Sequence, residues 1–266
     1  MSGNGKNSKG VLVDLVRCTG CRACQVACKA WNDNTYEVTQ CLGCYDNPPD
    51  LSADTWSIIR FNELEQNGKL HWVFTKHQCM HCEDPGCVSA CLVGALRKLD
   101  NGAVVYDAHK CIGCRYCMMA CPFRVPKFEW DTNLPFIRKC NFCADRQSEG
   151  LETACVKACP TGALTYGDRD ELIVEARRRM QARPGKYVDH IFGEHEVGGT
   201  SWMYISPVPF DQLGFPDVSD QSVTIRSEAA MVATPGVAVG AIAILSGIYW
   251  ATKRRMEMSG SAGKEE

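Results

Sequence analysis

Several familiar catalytic signatures are absent from this chain of 266 residues. It contains no G-x-G-x-x-G fingerprint, no Walker A loop, no nucleophile elbow and no zinc-protease H-E-x-x-H, so the backbone cradles and helical ligand pairs behind those chemistries are missing. Histidine is scarce at six residues, and His71, His77, His109, His190 and His195 show no ligand spacing with one another. Charge of one sign is lacking too: a formal net charge of -2 and a pI near 6.3 leave no basic surface to attract nucleic acid. The first ten residues, Met1 to Gly10, are polar and hold neither an apolar h-region nor a twin arginine, so they do not read as a signal peptide.

What the chain has in excess is cysteine. There are eighteen, and sixteen fall into four quartets. Cys18, Cys21, Cys24 and Cys28 read C-x2-C-x2-C-x3-C, and Cys111, Cys114, Cys117 and Cys121 repeat that spacing ahead of Pro122. Cys79, Cys82, Cys87, Cys91 and Cys140, Cys143, Cys155, Cys159 keep the C-x3-C ending and stretch one gap, as a loop insertion would. The repeated run is that of bacterial ferredoxins, in which three closely spaced thiolates cap three irons of a cubane and the last cysteine ligates the neighbouring cluster. Four such motifs predict four [4Fe-4S] clusters. A disulfide framework fits less well, because such frameworks serve small domains without a core, and 45% of this chain is hydrophobic. Structural zinc needs two separated cysteine pairs and has no use for three cysteines spaced three apart.

The C-terminus is apolar. Residues 229–252 carry no charge, and a helix of that length reaches about 36 Å, enough for a hydrocarbon core of about 30 Å. One transmembrane helix is expected; a buried core helix is the other reading, since Pro235 lies near the start and Gly and Ala dilute the hydrophobicity. Gly236-x3-Gly240 offers a small-residue face to another helix. Lys253, Arg254 and Arg255 follow the span, whereas Arg226 is the one cation among residues 219–228. Positive charge stays inside. The cluster region is therefore expected on the outer, periplasmic side of the cytoplasmic membrane, carried across folded by a partner that has its own signal.

Between the ends, Val11 to Val16 reads as a strand leading through the first cluster loop into a short helix. Hairpins are expected around Asn67-Gly68, joining 55–61 to 70–76, and around Asn101-Gly102, joining 95–99 to 103–106. Cys91-Leu-Val-Gly-Ala-Leu96 matches Cys159-Pro-Thr-Gly-Ala-Leu164, a sign of duplication. Asp168 with Glu171 predicts a helix start, with Leu172, Ile173, Ala176 and Met180 as the buried stripe and Arg177 to Arg179 as its solvated face. The fold class is α+β, duplicated ferredoxin-like, plus one C-terminal transmembrane helix. Its domains are a four-cluster region over 1–183 with a hairpin insertion near 41–76, an extended docking tail over 184–228, the span over 229–252 and a cytoplasmic tail over 253–266.

On these residues the chain resembles the iron-sulfur (beta) subunits of membrane-bound respiratory formate dehydrogenases, within the four-cluster subunits of molybdenum or tungsten oxidoreductases. The four-motif layout carries the broad likeness. Narrower features are Cys24-Gln-Val-Ala-Cys28 followed by Trp31-Asn-Asp, Tyr45-Asp-Asn-Pro with Asp50-Leu-Ser-Ala, and Glu65-Gln-Asn-Gly-Lys-Leu70. Cys79-Met-His-Cys-Glu-Asp-Pro-Gly-Cys87, Cys155-Val-Lys-Ala-Cys-Pro-Thr-Gly-Ala163 and Gly198-Gly-Thr200 with Met203-Tyr204 agree with it. The resemblance implies crossed ligand sets: Cys18, Cys21, Cys24 with Cys159; Cys140, Cys143, Cys155 with Cys28; Cys79, Cys82, Cys87 with Cys121; and Cys111, Cys114, Cys117 with Cys91. It also implies an electron-transfer subunit of an anaerobic respiratory complex with no catalytic residue of its own. Electrons would enter from a Mo/W bis-pterin catalytic subunit and leave to a membrane cytochrome b subunit that reduces quinone. Equivalent subunits of hydrogenases and of polysulfide, tetrathionate or nitrate-type molybdoenzymes are the alternative.

Two cysteines exceed what four clusters need. Cys41-Leu-Gly-Cys44 admits structural thiols or a local disulfide, a redox-active pair, or a metal site shared with a partner. His81, between Cys79 and Cys82, is expected to pack rather than to ligate. Lys76, Lys110, Arg138 and Lys139 flank cluster loops, where a cation raises a cluster's potential unless surface screening blunts it, and Glu83 and Asp84 would act oppositely.

Overall fold

A computed structural model describes residues 8–262 apart from 41, 42 and 67. The chain divides into two compact units, residues 1–223 and 224–266. Nine strands, β1 (Lys9–Asp14), β2 (Ser57–Gln66), β3 (Lys69–Gln78), β4 (Leu96–Lys98), β5 (Val104–Tyr106), β6 (Lys127–Phe128), β7 (Ile137–Arg138), β8 (Leu164–Asp168) and β9 (Trp202–Ile205), lie in the first unit. Helices α1 (Ala23–Trp31), α2 (Gly86–Ser89), α3 (Tyr116–Met119), α4 (Ala144–Ser148), α5 (Ala154–Lys157) and α6 (Arg169–Ala182) join them there, and α7 (Thr224–Ala262) forms the second unit.

β1 lies between β8 and β9, antiparallel to the first with Val11 opposite Tyr166 and parallel to the second with Val11 opposite Trp202. Successive side chains of a strand point to opposite faces, and here both faces are covered, which explains why Val11, Leu12 and Val13 are apolar in succession. Val11, Val13, Trp202 and Tyr204 join the main core, whereas Leu12, Met203 and Ile205 pack with Leu172 and Ala176 of α6. The expected hairpins are both present as β2–β3 and β4–β5.

Three sequence expectations meet a different arrangement. The segment expected as an extended tail supplies β9, whose four residues are all buried, and it ties the rest of the body together. Ser201 N–H donates to the Met80 carbonyl at 3.1 Å, and Glu83 N–H donates to Gly199 at 2.9 Å. Its scattered aromatics are core residues because β1 needs a second neighbour. Asp168 does precede α6, but its side chain makes no cap hydrogen bond and instead pairs with Lys9 at 2.7 Å. Arg179, expected in solvent, is buried at the end of α6, where it meets the fully buried Asp14 at 3.4 Å and Glu175 at 2.7 Å. A buried carboxylate requires such a partner, and Tyr187 Oη donates to Asp14 as well.

α7 runs for 39 residues, longer at both ends than the expected 229–252, and 231–256 is the stretch apolar enough to cross a membrane, with a mean hydropathy of 1.9. Its apolar side chains are exposed, Val232 by 82% and Ile242 by 65%. Pro235 lies inside the helix rather than at its start, a position tolerated in membrane spans.

Candidate metal centres

The first C-x2-C loop of each quartet turns on its third residue. Gly20, His81, Gly113 and Phe142 all have φ between 49° and 70°, a left-handed conformation that lets a short loop fold around its own cysteines. Glycine adopts it freely; for the two aromatic residues it costs about 1–2 kcal/mol. The arginines Arg22 and Arg115, which follow the second cysteine of the two compact motifs, are left-handed too, and start α1 and α3.

The turned loops gather the sixteen thiols into four groups. Cys18, Cys21, Cys24 and Cys159 line one cavity, and Cys28, Cys140, Cys143 and Cys155 line another. Cys82 lies among Cys79, Cys121 and Cys87, and Cys117 among Cys91, Cys111 and Cys114. In every group the cysteine that ends one motif stands with three cysteines of a different motif. Among the described residues no three His, Cys, Asp or Glu side chains converge as they would on a single ion, and the described cysteines are free thiols.

Burial pushes several of these thiols up, Cys24 to about 11 and Cys28 and Cys87 to about 12, with Cys140 and Cys82 well above the ordinary range. Buried thiolates therefore need positive charge or hydrogen bonds. Backbone N–H groups supply part of this: Ala95 donates to Cys91 Sγ at 3.2 Å, Gly113 to Cys111 Sγ at 3.4 Å and Phe142 to Cys140 Sγ at 3.4 Å. The Thr153 hydroxyl lies 3.3 Å from Cys155 Sγ. Trp202, which lines the second cavity, is buried with no acceptor for its Nε1–H among the described residues. A cavity ringed by four thiols and carrying a spare donor fits an iron-sulfur core, whose bridging sulfides accept hydrogen bonds and whose irons take thiolate.

Lys76 and Lys139, expected to flank cluster loops, are buried. Lys139 Nζ donates to the carbonyls of Val104 and Cys140. Lys110 does face solvent beside Asp107, and Arg138 pairs with Glu129. Glu83 is held by Lys98 at 3.3 Å. His81 is fully buried; its Nδ1 accepts from Val104 N–H, and its ring stacks on Phe142 at 4.8 Å. The spacing of the sequence marked the cysteine groups but not this stack, because nothing in C-x2-C says that two third residues meet. Cys44 is exposed with Sγ 3.5 Å from the Asp46 carbonyl; Cys41 lies outside the described residues.

Comparison with known proteins gives a consistent answer. The 4Fe-4S dicluster domain family matches residues 70–169, which contain three of the four motifs. The chain is 43% identical over 247 residues to the iron-sulfur subunit of the nitrate-inducible formate dehydrogenase of Escherichia coli, covering 90% of this chain and 82% of that protein. It is 40% identical over 245 residues to the formate dehydrogenase iron-sulfur subunit of Haemophilus influenzae, with 87% and 78% covered. Hydrogenase-2 operon protein HybA of Escherichia coli O157:H7 is 36% identical over 257 residues, with 83% and 76% covered.

Proposed function

Because the chain belongs to the family of formate dehydrogenase iron-sulfur subunits, we propose that it holds four [4Fe-4S] clusters in one row and conducts electrons along it from a formate-oxidising catalytic subunit. The ligand sets are Cys18, Cys21, Cys24, Cys159; then Cys28, Cys140, Cys143, Cys155; then Cys79, Cys82, Cys87, Cys121; and last Cys91, Cys111, Cys114, Cys117. When bound, each cluster supplies a site that accepts and releases one electron at a potential set by its surroundings.

The protein's part is to hold these sites in order, dry in the middle and open at the ends. Cys24 of the first set neighbours Cys155 of the second, Cys140 of the second neighbours Cys79 of the third, and Cys87 of the third neighbours Cys117 of the fourth. The observation that carries the reading is the exposure pattern: of the sixteen cysteines, Cys21 in the first set and Cys114 in the last are the exposed ones, and the two inner sets have none. A series conductor needs contact with other proteins only at its ends.

The clusters serve a complex rather than a reaction of this chain, which contributes no catalytic residue. Upstream stands a Mo/W bis-pterin subunit; downstream, a membrane cytochrome b subunit that reduces quinone. α7 anchors the chain as a single-pass helix, and Lys253, Arg254 and Arg255 beyond the span favour a cytoplasmic C-terminus with the clusters on the periplasmic side. The higher identity to formate dehydrogenase subunits than to the hydrogenase protein favours formate as the electron source.

Cys114→Ser in the assembled complex tests the series. Formate-to-quinone activity is expected to vanish while formate-to-dye activity at the catalytic subunit persists. Retention of full quinone activity, with the fourth set's iron gone, would mean that electrons do not run through all four sites.

A further inference from the structure

Lys76 occupies a place that the ligand sets alone do not explain. It is 3% exposed, and among the described residues it alone lines both the cavity of Cys18, Cys21, Cys24, Cys159 and the cavity of Cys28, Cys140, Cys143, Cys155. Its polar partners are neutral. Nζ donates to Ser57 Oγ and to Gln78 Oε1 at 3.2 Å, and lies 4.9 Å from the centroid of the Trp202 ring. Among the described residues no carboxylate forms a salt bridge with it; the sulfurs that act on it include Cys155 and Cys28 on one side and Cys24 and Cys18 on the other. An ammonium taken out of water without an anion is strongly disfavoured, so the position makes physical sense only when negative charge is gathered in the two flanking cavities.

We propose that Lys76 is a counter-ion shared by the first two clusters, favouring the reduced form of both and raising their potentials together. The inference rests on the ligand sets proposed above. Each added electron makes a site more negative, and a fixed cation a few ångströms away in a dry interior stabilises that added charge with little screening. Because one ammonium faces both sites, the effect is common to the pair, so an electron can pass between them without a large step in potential arising from this charge. The third and fourth sites lie beyond the Cys140–Cys79 seam, where Lys139 is the buried cation instead.

The test is Lys76→Met in the full complex, purified without oxygen, with iron and sulfide analysis followed by a potentiometric titration read by electron paramagnetic resonance. Iron content is expected to match the wild type. Two of the four signals should fall by about tenfold or more in their reduction equilibrium, about 59 mV for a one-electron couple, while the other two stay in place and Lys76→Arg returns the pair toward the wild-type values. Signals that do not move, or four that move equally, overturn the proposal. Should Lys76→Met lose iron, Lys76→Arg decides: iron retained with Arg supports the need for charge, and iron lost from both variants makes Lys76 a packing requirement and overturns it. Cys155→Ser separates this from the underlying ligand sets. An unchanged iron content there would sink the sets themselves, whereas intact sets with unmoved potentials in Lys76→Met would sink only the role of the lysine.

Discussion

The body of the protein contains two halves made from one pattern, and they differ where they touch each other and where they touch solvent. One half joins the first and fourth motifs, the other the second and third. Gly20 and Arg22 in the first correspond to Gly113 and Arg115 in the second, with φ values of 66° and 60° against 70° and 63°. Gly94 and Gly162, each following the last cysteine of a motif by three residues, share a φ of 62°. The third residue of the C-x2-C loop is glycine in the two outer sites and aromatic in the two inner ones, where His81 and Phe142 stack across the junction. Outside, the second half surrounds its end site with exposed Leu92, Ile112, Tyr116 and Met119, at positions where the first half has Pro160, Thr19, Ala23 and Val26. Duplication thus preserved what a cluster loop needs from its backbone and left the side chains free to make a seam in one place and a surface in another.

The seam gives the largest expected effect. Phe142 is 1% exposed and packs on both His81 and Trp202, so Phe142→Gly, which copies the outer sites, opens a cavity costing about 3–5 kcal/mol. Relief of the left-handed strain returns about 1–2 kcal/mol. The net loss is expected to appear as faster bleaching of cluster absorbance in guanidinium under anaerobic conditions. If the variant bleached as slowly as the wild type, the aromatic pair would not be holding the halves together.

How much of this could be read from sequence follows the same division. The four cysteine motifs were legible because cysteine spacing is a covalent property of a short loop, and the two hairpins were legible because Asn67-Gly68 and Asn101-Gly102 favour one kind of turn. The seam was not, since a left-handed His81 or Phe142 leaves no compositional trace as glycine does. β9 was hidden for another reason: its partner β1 lies about 190 residues earlier in the chain, and the intervening Gly/Pro-rich stretch has no periodicity to announce a strand. Arg179 was read as a surface charge because local pattern says nothing about which buried anion awaits it.

Matched substitutions at the loop glycines sharpen the comparison at a smaller scale. A Cβ on Gly20 would stand 2.8 Å from Phe74 Cδ1, whereas one on Gly113 would find its nearest neighbour, Phe128, at 3.8 Å. Both substitutions carry the left-handed penalty of about 1–2 kcal/mol, and Gly20→Ala adds an overpacking cost of about 1–3 kcal/mol. Gly20→Ala is therefore expected to lose iron from the first half more readily than Gly113→Ala does from the second, as read by iron content after a mild chelator challenge. Equal losses would mean that the β2–β3 hairpin yields and that the halves are packed alike.

The smallest expected difference concerns the two arginines. Arg22 lies 4.7 Å from the Phe61 ring and donates to the Tyr45 carbonyl, while Arg115 lies 5.4 Å from Phe128 and 5.1 Å from Trp130. Replacing either by methionine keeps the long side chain and leaves the backbone strain nearly unchanged, so it removes chiefly the cation. Each loss is worth about 0.5–1 kcal/mol at a partly exposed site. Arg115 is exposed and Arg22 only half so, and water competes better for the first. Arg22→Met is expected to lower the bleaching midpoint slightly more than Arg115→Met does. The reverse order would show that two rings around an exposed guanidinium outweigh one ring and a carbonyl around a sheltered one, and would make the second half the more firmly clamped of the two.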